Sequence, residues 1–393
     1  MKLRCASIAA LVLLSGCAVS STWINPQTTP PVAPAALSDS IDVSLFLIGD
    51  TGKALVDEPE PVLEALVAQA SVSPDNSWIV LLGDNIYPGG VPEDPESKKR
   101  RKAEAELRVQ VEAAIRSGAE TIFLPGNHDH HSGGFEAVAR QAAFIHDYGN
   151  PRIRFLPEPG CPGPEVIDVG ETLRLILLDS EWWIAEKRRG DTPEACANRT
   201  PAQISAAVQE ALATAGSRHA VVLAHHPLAT HGAHGGFFSW REHLFPLVRW
   251  KSWLWVPIPV LSSIYVGVRV WGGYAQDLGG SQYQEMTARL SEAYAGHQPL
   301  FHAAGHEHSL QVLEGSFNTR WNLVSGAGSV KRPDEVGKGD DTVFVSPKAG
   351  FMRVDLLQDG RVRLSVTEVT KKNEVTHPYS VWLVEDQAHA MAQ

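Results

Sequence analysis

Short apolar runs that end in glycine or polar residues, each followed by a stretch with helical spacing, repeat along most of the chain. The runs are IDVSLFLIGDTG, WIVLLGDNIY, TIFLPGNHDH, TLRLILLDS, HAVVLAHHP and PLFHAAGHEHS. Continuous apolar strands that alternate with helices are typical of buried sheet covered by helices. The pattern therefore predicts an α/β layered domain over residues 41–393, with polar residues gathered at one sheet edge where the strands end.

The first residues have the layout of an export signal. Lys2 and Arg4 precede the apolar run ASIAALVLL, which is too short to cross a bilayer. The next residues, LSGC at 14–17, resemble a bacterial lipobox, in which cleavage before the cysteine leaves a lipid-modified Cys17. We expect a lipoprotein signal peptide at residues 1–16, and an ordinary cleaved signal is the alternative.

The segment behind this signal, residues 17–40, is rich in Ser, Thr and Pro. Such composition predicts a tether without a core of its own. Ala18 follows the lipobox, where an aspartate would indicate retention in the inner membrane. We therefore expect an exported protein of the bacterial periplasm or cell envelope, held at the outer membrane as a lipoprotein.

Charge and cysteine usage limit the partners and the compartment. The formal net charge of -11 gives no general attraction for nucleic acid, so none is expected as a partner. With Cys5 in the signal and Cys17 lipidated, Cys161 and Cys196 remain. Two remaining cysteines allow one disulfide in an oxidising compartment, in agreement with export.

Residues that could bind a metal ion stand where the predicted strands end. They are Asp50, Asp84, Tyr87, Asn127, His128, Asp129, His225, His226, His306 and His308. Taken singly, such residues are more often turn or loop residues. Together they form a set of oxygen and imidazole donors, and crowding them in one cleft is unfavourable unless a cation compensates. The set indicates zinc, iron or manganese, and its lack of sulfur argues against copper(I) or iron–sulfur chemistry.

Spacing supports a common site for these donors. His306 and His308 in GHEH are two residues apart, so both point to one face of an extended segment while Glu307 points away. Tyr87 follows Asp84 by three residues in GDNIY, and a turn can return it to the same side. Glycines precede four of the donors, which lets the backbone bend tightly there.

Five ordered segments, GDTG, GDNIY, GNHD, VLAH and GHEH, resemble the motif set of purple acid phosphatases within the calcineurin-like metallophosphoesterase superfamily. The resemblance spans roughly residues 42–330. Most members of the superfamily begin with Asp-x-His, whereas this chain has Asp50-Thr51-Gly52 and also carries Tyr87, and both departures are typical of the purple acid branch. The resemblance implies a layered sandwich of two central β-sheets flanked by helices.

The resemblance also implies two metal ions that share one carboxylate. The first ion would be held by Asp50, Asp84, Tyr87 and His308, and the second by Asp84, Asn127, His225 and His306. The first is expected to be Fe(III), because a phenol with a pKa of about 10 must be acidified strongly to coordinate at neutral pH. The second is expected to be Fe, Zn or Mn. The implied activity is hydrolysis of phosphate monoesters by a metal-bound hydroxide.

Histidines beside the ligands are candidates for proton transfer. His128 is placed to contact the phosphate or to protonate the leaving group, and Asp129 could orient it. Of the two histidines in LATHGAHGG, His231 and His234, the second is the preferred catalytic residue. His226 is expected to contact residues around the metal ligands rather than to bind a metal ion itself.

The interval between VLAH and GHEH is long for this fold and predicts an insertion at about residues 232–296. It contains Trp240, Trp250, Trp253, Trp255 and Trp271. Tryptophans around an apolar run with basic margins are found at membrane interfaces, but Pro257 and Pro259 argue against a full span. The insertion is either a lid folded over the site or a segment that contacts a membrane or a lipid-like substrate.

Three functions remain open at this stage. A phosphomonoesterase would favour cationic or histidine donors at the pocket mouth. A phosphodiesterase acting on nucleotides or lipid head groups would need room on both sides of phosphorus. A non-catalytic surface binding module is the alternative of another class, and it is disfavoured because no ligand of the motif set is missing.

Overall fold

The structure, a computed structural model, describes residues 19, 21–28, 40–238, 244–245, 247, 254–258, 267–269, 273–331 and 333–385. Within these residues the predicted layered fold is confirmed, since two mixed β-sheets lie face to face with helices on their outer surfaces. Several predicted features lie outside the described residues, namely the signal peptide at 1–16, the lipid site Cys17, and Trp240, Trp250, Trp253 and Trp271.

Fifteen strands are found in the described part of the chain. They are β1 (Trp23–Ile24), β2 (Ile41–Ile48), β3 (Ser77–Leu81), β4 (Glu120–Phe123), β5 (Ile153–Phe155), β6 (Glu165–Val169), β7 (Leu173–Leu177), β8 (His219–Leu223), β9 (Phe301–Ala304), β10 (Leu310–Glu314), β11 (Trp321–Ser325), β12 (Thr342–Ser346), β13 (Gly350–Leu357), β14 (Val362–Val369) and β15 (Val375–Val384). The α-helices with fully described bounds are α1 (Pro61–Ala70), α2 (Lys98–Ser117), α3 (Asn127–His130), α4 (Gly134–His146), α5 (Glu181–Ile184), α6 (Pro201–Ala213) and α7 (Ser281–Tyr294).

Both sheets combine a parallel block with antiparallel strands. One sheet has the order β15-β14-β13-β2-β3-β4-β5, in which β2 to β5 are parallel. The other has the order β1-β12-β10-β11-β9-β8-β7-β6, in which β7, β8, β9 and β11 are parallel. Parallel neighbours need crossover connections, so the carboxyl ends of each parallel block meet at one edge.

Strand β2 shows why the apolar runs are continuous. Leu45 and Leu47 pack into the core between the two sheets. Phe46 and Ile48 point to the opposite face, where they pack with Leu66 of α1 and the other helices on that side. A strand that is buried on both faces needs apolar residues at every position, and this accounts for the pattern seen in the sequence.

The segment expected to be a tether is partly attached to the domain. Strand β1 pairs antiparallel with β12 at the edge of the larger sheet, and Ile24 packs against the inter-sheet core. Val19 forms an isolated bridge with Val336. The described part of residues 17–40 therefore includes an edge strand, because Trp23 and Ile24 supply an apolar pair that can be buried against the sheet.

The predicted insertion at about residues 232–296 contains a helix of the main fold. Helix α7 buries Tyr283, Met286 and Leu290 together with α5 and α6 against the outer face of the larger sheet. Trp255 is 50% exposed and its ring packs at 5.3 Å on Phe245. In the described part of the chain, no helix combines the length and the apolar character that crossing a membrane requires.

Cys161 and Cys196 form a disulfide, with their Cα atoms 5.4 Å apart. It joins residues 35 positions apart, and closing a loop of that length stabilises a fold by about 3 to 4 kcal/mol.

We expect the free energy of unfolding, measured by urea denaturation, to fall by about 3 to 4 kcal/mol when both cysteines are replaced by serine. Reduced wild-type protein should unfold at the same urea concentration as the variant. Equal stability of reduced and oxidised wild type would contradict this prediction.

Candidate metal centre

The seven predicted ligands lie together at the edge where the carboxyl ends of both parallel blocks meet. Asp50 follows β2, Asp84 and Tyr87 follow β3, Asn127 follows β4, His225 follows β8, and His306 and His308 follow β9. All of them are buried except Asn127, which is half-buried. The structure therefore collects donors from distant parts of the chain into one cleft.

A first set of four metal-binding atoms consists of the hydroxyl oxygen of Tyr87 and three atoms around it. This oxygen lies 2.7 Å from Asp50 Oδ1, 2.8 Å from Asp84 Oδ2 and 3.3 Å from His308 Nε2. His308 Nε2 is also 3.3 Å from Asp50 Oδ1. The set combines three oxygen donors with one imidazole nitrogen.

A second set of four donors lies beside the first. Asn127 Oδ1 is 3.0 Å from His225 Nε2 and 3.1 Å from His306 Nδ1. These two imidazole nitrogens are 3.3 Å apart, and His225 Nε2 is 3.4 Å from Asp84 Oδ1. This set combines two imidazole nitrogens with two oxygen donors.

Asp84 belongs to both sets through different oxygens. Its Oδ2 faces Tyr87, while its Oδ1 faces His225 and accepts a hydrogen bond of 2.9 Å from the backbone N–H of His128. Burial raises the pKa of Asp84, but the His225 and His128 charges and its hydrogen bonds outweigh burial and lower the pKa to about 2. Asp84 is thus an ionised carboxylate that spans the two sets.

The donor sets fit metal ions. Buried carboxylates, a phenol and several imidazoles within contact distance repel one another or compete for protons unless a cation lies between them. Among the described histidines, cysteines and carboxylates, two groups of three have ligand atoms within 4.8 Å of one another. One group is Asp50, Asp84 and His225, and the other is His225, His226 and His306. Burial and the neighbouring imidazoles lower the pKa of His306 well below its ordinary value, which keeps its ring neutral, as a ligand must be.

Each histidine predicted to be a ligand is fixed by its other ring nitrogen. His225 Nδ1 lies 2.8 Å from Leu82 O, and His306 Nε2 lies 2.9 Å from Gln276 O. His308 Nδ1 lies 2.8 Å from a carboxylate oxygen of Asp334. Such contacts set the tautomer and direction of metal-binding histidines.

The sequence did not reveal Gln276 and Asp334. Both lie in loops without a motif, and only their contacts in the structure relate them to the site. His226, expected to support the site, has its ring nitrogens 2.8 Å from Ser180 Oγ and 2.8 Å from Gln276 Oε1. These contacts use both ring nitrogens of His226 and fit the supporting role.

The backbone is strained where ligands enter the site. Asp50, Asp84 and His306 have left-handed φ values of 60°, 56° and 69°. Such conformations are uncommon for residues with a side chain and concentrate at functional sites. Gly126 allows a close approach, because a Cβ there would lie 2.4 Å from Asp84 Oδ1. The glycines before the ligands are thus partly explained by the crowding of the centre.

His128 lies over the first donor set. Its Nδ1 is 2.7 Å from Pro88 O, and its ring centroid is 4.5 Å from that of Tyr87. The same side chain lines the cavity above the donors. The backbone oxygen of Pro88 therefore helps to orient the His128 ring.

Asp129 occupies a different place from the one its predicted role requires. Its buried carboxylate accepts hydrogen bonds of 2.8 Å from Gly126 N–H and of 3.1 Å from Asn85 N–H. Burial, and secondly the charge of Asp84, raise the pKa of Asp129 to about 7. These contacts join the loops that follow β3 and β4, so the carboxylate supports the ligand loops, whereas the sequence predicted that it orients His128.

His234 reaches the cavity, and His231 is held elsewhere. His234 Nδ1 lies 2.8 Å from Asp277 Oδ1, and its backbone N–H donates to Glu307 Oε1. His231 Nε2 lies 2.5 Å from Asp341 Oδ1. Of the two, only His234 lines the cavity over the metal centre.

A cavity of about 440 Å³ lies over the donor sets. Its lining includes His128 from the main fold, and His234, Arg269 and Tyr274 from within the bounds of the predicted insertion. A second cavity of about 550 Å³ shares His128 and Tyr274 with the first, and also Asn127 and Gln276. The two cavities therefore lie side by side along the edge of the centre.

More than half of the chain matches a known protein family. The family model described as calcineurin-like phosphoesterase matches residues 43–251, which include Asp50, Asp84, Tyr87 and Asn127. His225 also lies within the match, and the last two ligands lie beyond it. No curated protein matches the sequence significantly.

Solved structures share the fold at low sequence identity. One is GAP50 of Plasmodium, described as the anchor in the inner membrane complex, with a TM-score of 0.52, 15% identity, and coverage of 88% of this chain and 90% of that one. Another is the purple acid phosphatase PPD1 from yellow lupin (Lupinus luteus) seeds, with a TM-score of 0.52, 13% identity, and coverage of 92% of this chain and 56% of that one. At this identity the likeness shows the fold alone.

Proposed function

This chain belongs to the calcineurin-like phosphoesterase family, and on that premise we propose that it hydrolyses phosphate monoesters with two metal ions. The observation that supports this proposal best is the pair of donor sets joined by Asp84 beneath a cavity lined by His128, His234 and Arg269. A monoester dianion brings two negative charges and several oxygens that accept hydrogen bonds, and these side chains supply hydrogen-bond donors at the cavity wall.

The donor sets define which residues would hold each ion. Asp50, Tyr87 and His308 would hold one, Asn127, His225 and His306 would hold the other, and Asp84 would serve both. When bound, the two ions neutralise phosphate oxygens and acidify a water molecule for attack on phosphorus. The chain's own contribution is to fix the directions of these imidazole nitrogens through backbone and carboxylate partners, and at His306 burial also lowers the pKa of the ring.

We propose His128 and His234 as the groups that contact the substrate. Both line the cavity over the donor sets, and each has Nδ1 directed to a partner, Pro88 O for His128 and Asp277 Oδ1 for His234. With Nδ1 engaged, Nε2 is the nitrogen that can donate to a phosphate oxygen or protonate the leaving oxygen. Asp129 acts on catalysis only indirectly, by supporting the ligand loops.

Replacing His128 with alanine tests this role. We expect kcat for an aryl phosphate to fall on the order of 10²-fold while metal content stays near that of the wild type, because the hydrogen bond from His128 to Asp84 comes from its backbone N–H and survives the substitution. Steady-state kinetics and elemental analysis of the same preparation measure both. Replacing His297, an exposed histidine at the opposite end of β9, is the matched control and should change neither value. A loss of metal that parallels the loss of activity would contradict a role in contacting substrate.

A phosphodiesterase is the second candidate, and the paired cavities favour it. The cavity of about 550 Å³ beside the first offers room on the other side of Asn127 and His128. A diester needs such room for two alcohol groups. Comparing kcat/KM for a mono-aryl and a bis-aryl phosphate decides between them, and a higher value for the bis-aryl ester would favour the diesterase.

We propose Fe(III) for the site that contains Tyr87 and Fe, Zn or Mn for the other. Two carboxylate oxygens lie within 2.8 Å of the Tyr87 hydroxyl, so this set is rich in the hard donors that a trivalent ion prefers. The second set, with two imidazoles and an amide, suits a divalent ion. Elemental analysis with a visible spectrum of purified protein tests both assignments.

Export and anchoring are the remaining parts of the proposal. The lipobox at residues 14–17 supports a lipidated Cys17 at the periplasmic face of the outer membrane, and Trp255 supports additional contact of the insertion with a membrane surface. Labelling cells with a tagged fatty acid tests the anchor, since label should be lost in Cys17→Ser.

The Plasmodium protein of the same fold is described as an anchor, so a non-catalytic binding module is the rival function. The complete set of seven donors argues against it for this chain. A metal-loaded protein that hydrolyses neither monoesters nor diesters would favour the rival.

A further inference from the structure

Arg269 and Asp277 form a buried ion pair in the wall of the cavity over the metal centre. Asp277 is 2% exposed and Arg269 is 6% exposed. Arg269 Nε donates to Asp277 Oδ2 at 2.7 Å, and Arg269 Nη2 donates to Asp277 Oδ1 at 2.5 Å. This two-pronged contact fixes the plane and direction of the carboxylate.

The same carboxylate holds the ring of His234. Asp277 Oδ1 lies 2.8 Å from His234 Nδ1, whereas Arg269 Nη2 lies 3.3 Å from that nitrogen. The shorter contact to an acceptor places a proton on Nδ1, since a bare nitrogen and a carboxylate oxygen would repel each other at this distance. The Nε2 atom is then the ring position left for the substrate.

Two further contacts fix the ring in place. The backbone N–H of His234 donates to Glu307, and the His234 ring centroid lies 4.1 Å from that of His306. His234 is thus placed against a metal ligand on one side and against Asp277 on another. Two of the residues that hold it, Asp277 and Arg269, come from the predicted insertion, for which the family motifs specify nothing.

A purely structural role would not explain this arrangement. A buried ion pair is costly to desolvate, and apolar residues of similar volume often stabilise a fold as well or better. This ion pair also holds the ring of His234, which faces the cavity, through a hydrogen bond to Asp277. Apolar residues cannot accept such a hydrogen bond. The pair is formed within the predicted insertion itself, so it does not serve to attach distant parts of the main fold.

We infer that Asp277, fixed by Arg269, is a positioning residue that sets the tautomer and direction of His234 toward the leaving oxygen of the substrate. This inference rests on the proposed function. In the step it serves, hydroxide oxygen forms a new bond to phosphorus while the P–O bond to the leaving group breaks. His234, protonated on both ring nitrogens at the start of this step, gives its Nε2–H proton to the leaving oxygen. The ring ends neutral, with its remaining proton on Nδ1 bonded to Asp277.

The kinetic test compares two esters that differ in their need for a proton. For Asp277→Asn we expect kcat on an alkyl phosphate to fall about 10-fold or more, whereas kcat on 4-nitrophenyl phosphate falls only about 2-fold, because nitrophenolate leaves without protonation. KM should change little for either ester. Asp277→Glu should restore part of the alkyl ester activity.

Two controls separate positioning from general damage. Asp168→Asn makes the same change in a surface pair with Arg174 and should leave the ratio of the two kcat values unchanged. In a His234→Ala background, Asp277→Asn should add no further loss, because residues that act as a unit are not additive. Equal losses on both esters, or an additional loss in that background, would overturn the inference.

The second test does not depend on activity. Nitrogen NMR of the zinc-loaded, ¹⁵N-histidine-labelled protein, with His234 assigned from His234→Ala, reports which ring nitrogen carries the proton in the neutral ring. We expect the Nδ1–H form in the wild type and a shift toward the Nε2–H form in Asp277→Asn. An Nε2–H form in the wild type, or an unchanged spectrum in the variant, would overturn the inference. An inactive wild type would count against the proposed function, and the NMR result would still decide the role of Asp277.

Discussion

Replacing Asp84 with alanine is expected to release both metal ions and to lower phosphate-ester hydrolysis by about 10³-fold or more. Asp84 is the one residue shared by both donor sets, with Oδ2 beside Tyr87 and Oδ1 beside His225. Its removal takes one oxygen ligand from each set and also removes the negative charge that the two sets share. Elemental analysis after gel filtration should show a fall from about two ions per chain toward none.

A matched variant distinguishes this effect from a loss of fold. Asp168→Ala removes a carboxylate on β6, whose pair with Arg174 lies at the surface, and should retain both ions and full activity. Circular dichroism of Asp84→Ala should match the wild type at low temperature, since the residue lies outside the strands. Retention of two ions in Asp84→Ala would refute the bridging role.

Tyr87→Phe is expected to abolish the visible absorption band of the metal-loaded protein. Such a band would arise from the phenolate oxygen bound to Fe(III), and this substitution removes only that oxygen. The ring keeps its volume, so the packing under His128 at 4.5 Å should survive. Some iron should remain through Asp50, Asp84 and His308. Visible spectra recorded at equal iron content measure the effect.

Tyr294→Phe is the matched control for this prediction. Tyr294 is also buried, but its hydroxyl lies 3.1 Å from His302 Nδ1, outside both donor sets. Its loss should leave the band unchanged. An unchanged spectrum in Tyr87→Phe would show that Tyr87 is not a ligand, and a colourless wild type with two other metals would contradict the ferric assignment.

Most of the candidate metal centre could be predicted from the sequence, because each of its proposed ligands follows a strand. A buried parallel strand has a recognisable apolar run, and the residue after its carboxyl end has a predictable location at the edge of the sheet. His306 and His308 both reach the centre, but His306 has a left-handed φ of 69°, so the two-residue period of an extended segment does not account for their placement. The carboxylate of Glu307 between them accepts a hydrogen bond from the His234 N–H. Local patterns were therefore sufficient to group the donors.

Asp129 shows where local patterns fail. Its position next to His128 in GNHD favoured contact between the two side chains, but α3 begins at Asn127 and adjacent helical residues point in different directions. The buried carboxylate instead satisfies the N–H groups of Gly126 and Asn85. Adjacency in sequence was thus a poor guide once the backbone became helical.

Local periodicity carries information about which face a residue occupies, and for this reason the sequence by itself determined the layered fold and the set of donors at its strand ends. It did not determine which atoms meet, because that depends on how loops from distant parts of the chain pack over the sheet edge. Tertiary structure alone assigned the two oxygens of Asp84 to different donor sets and directed Gln276 and Asp334 to the ligating histidines. It alone brought Arg269 and Asp277 beside His234, since these contacts join loops that have no repeating pattern.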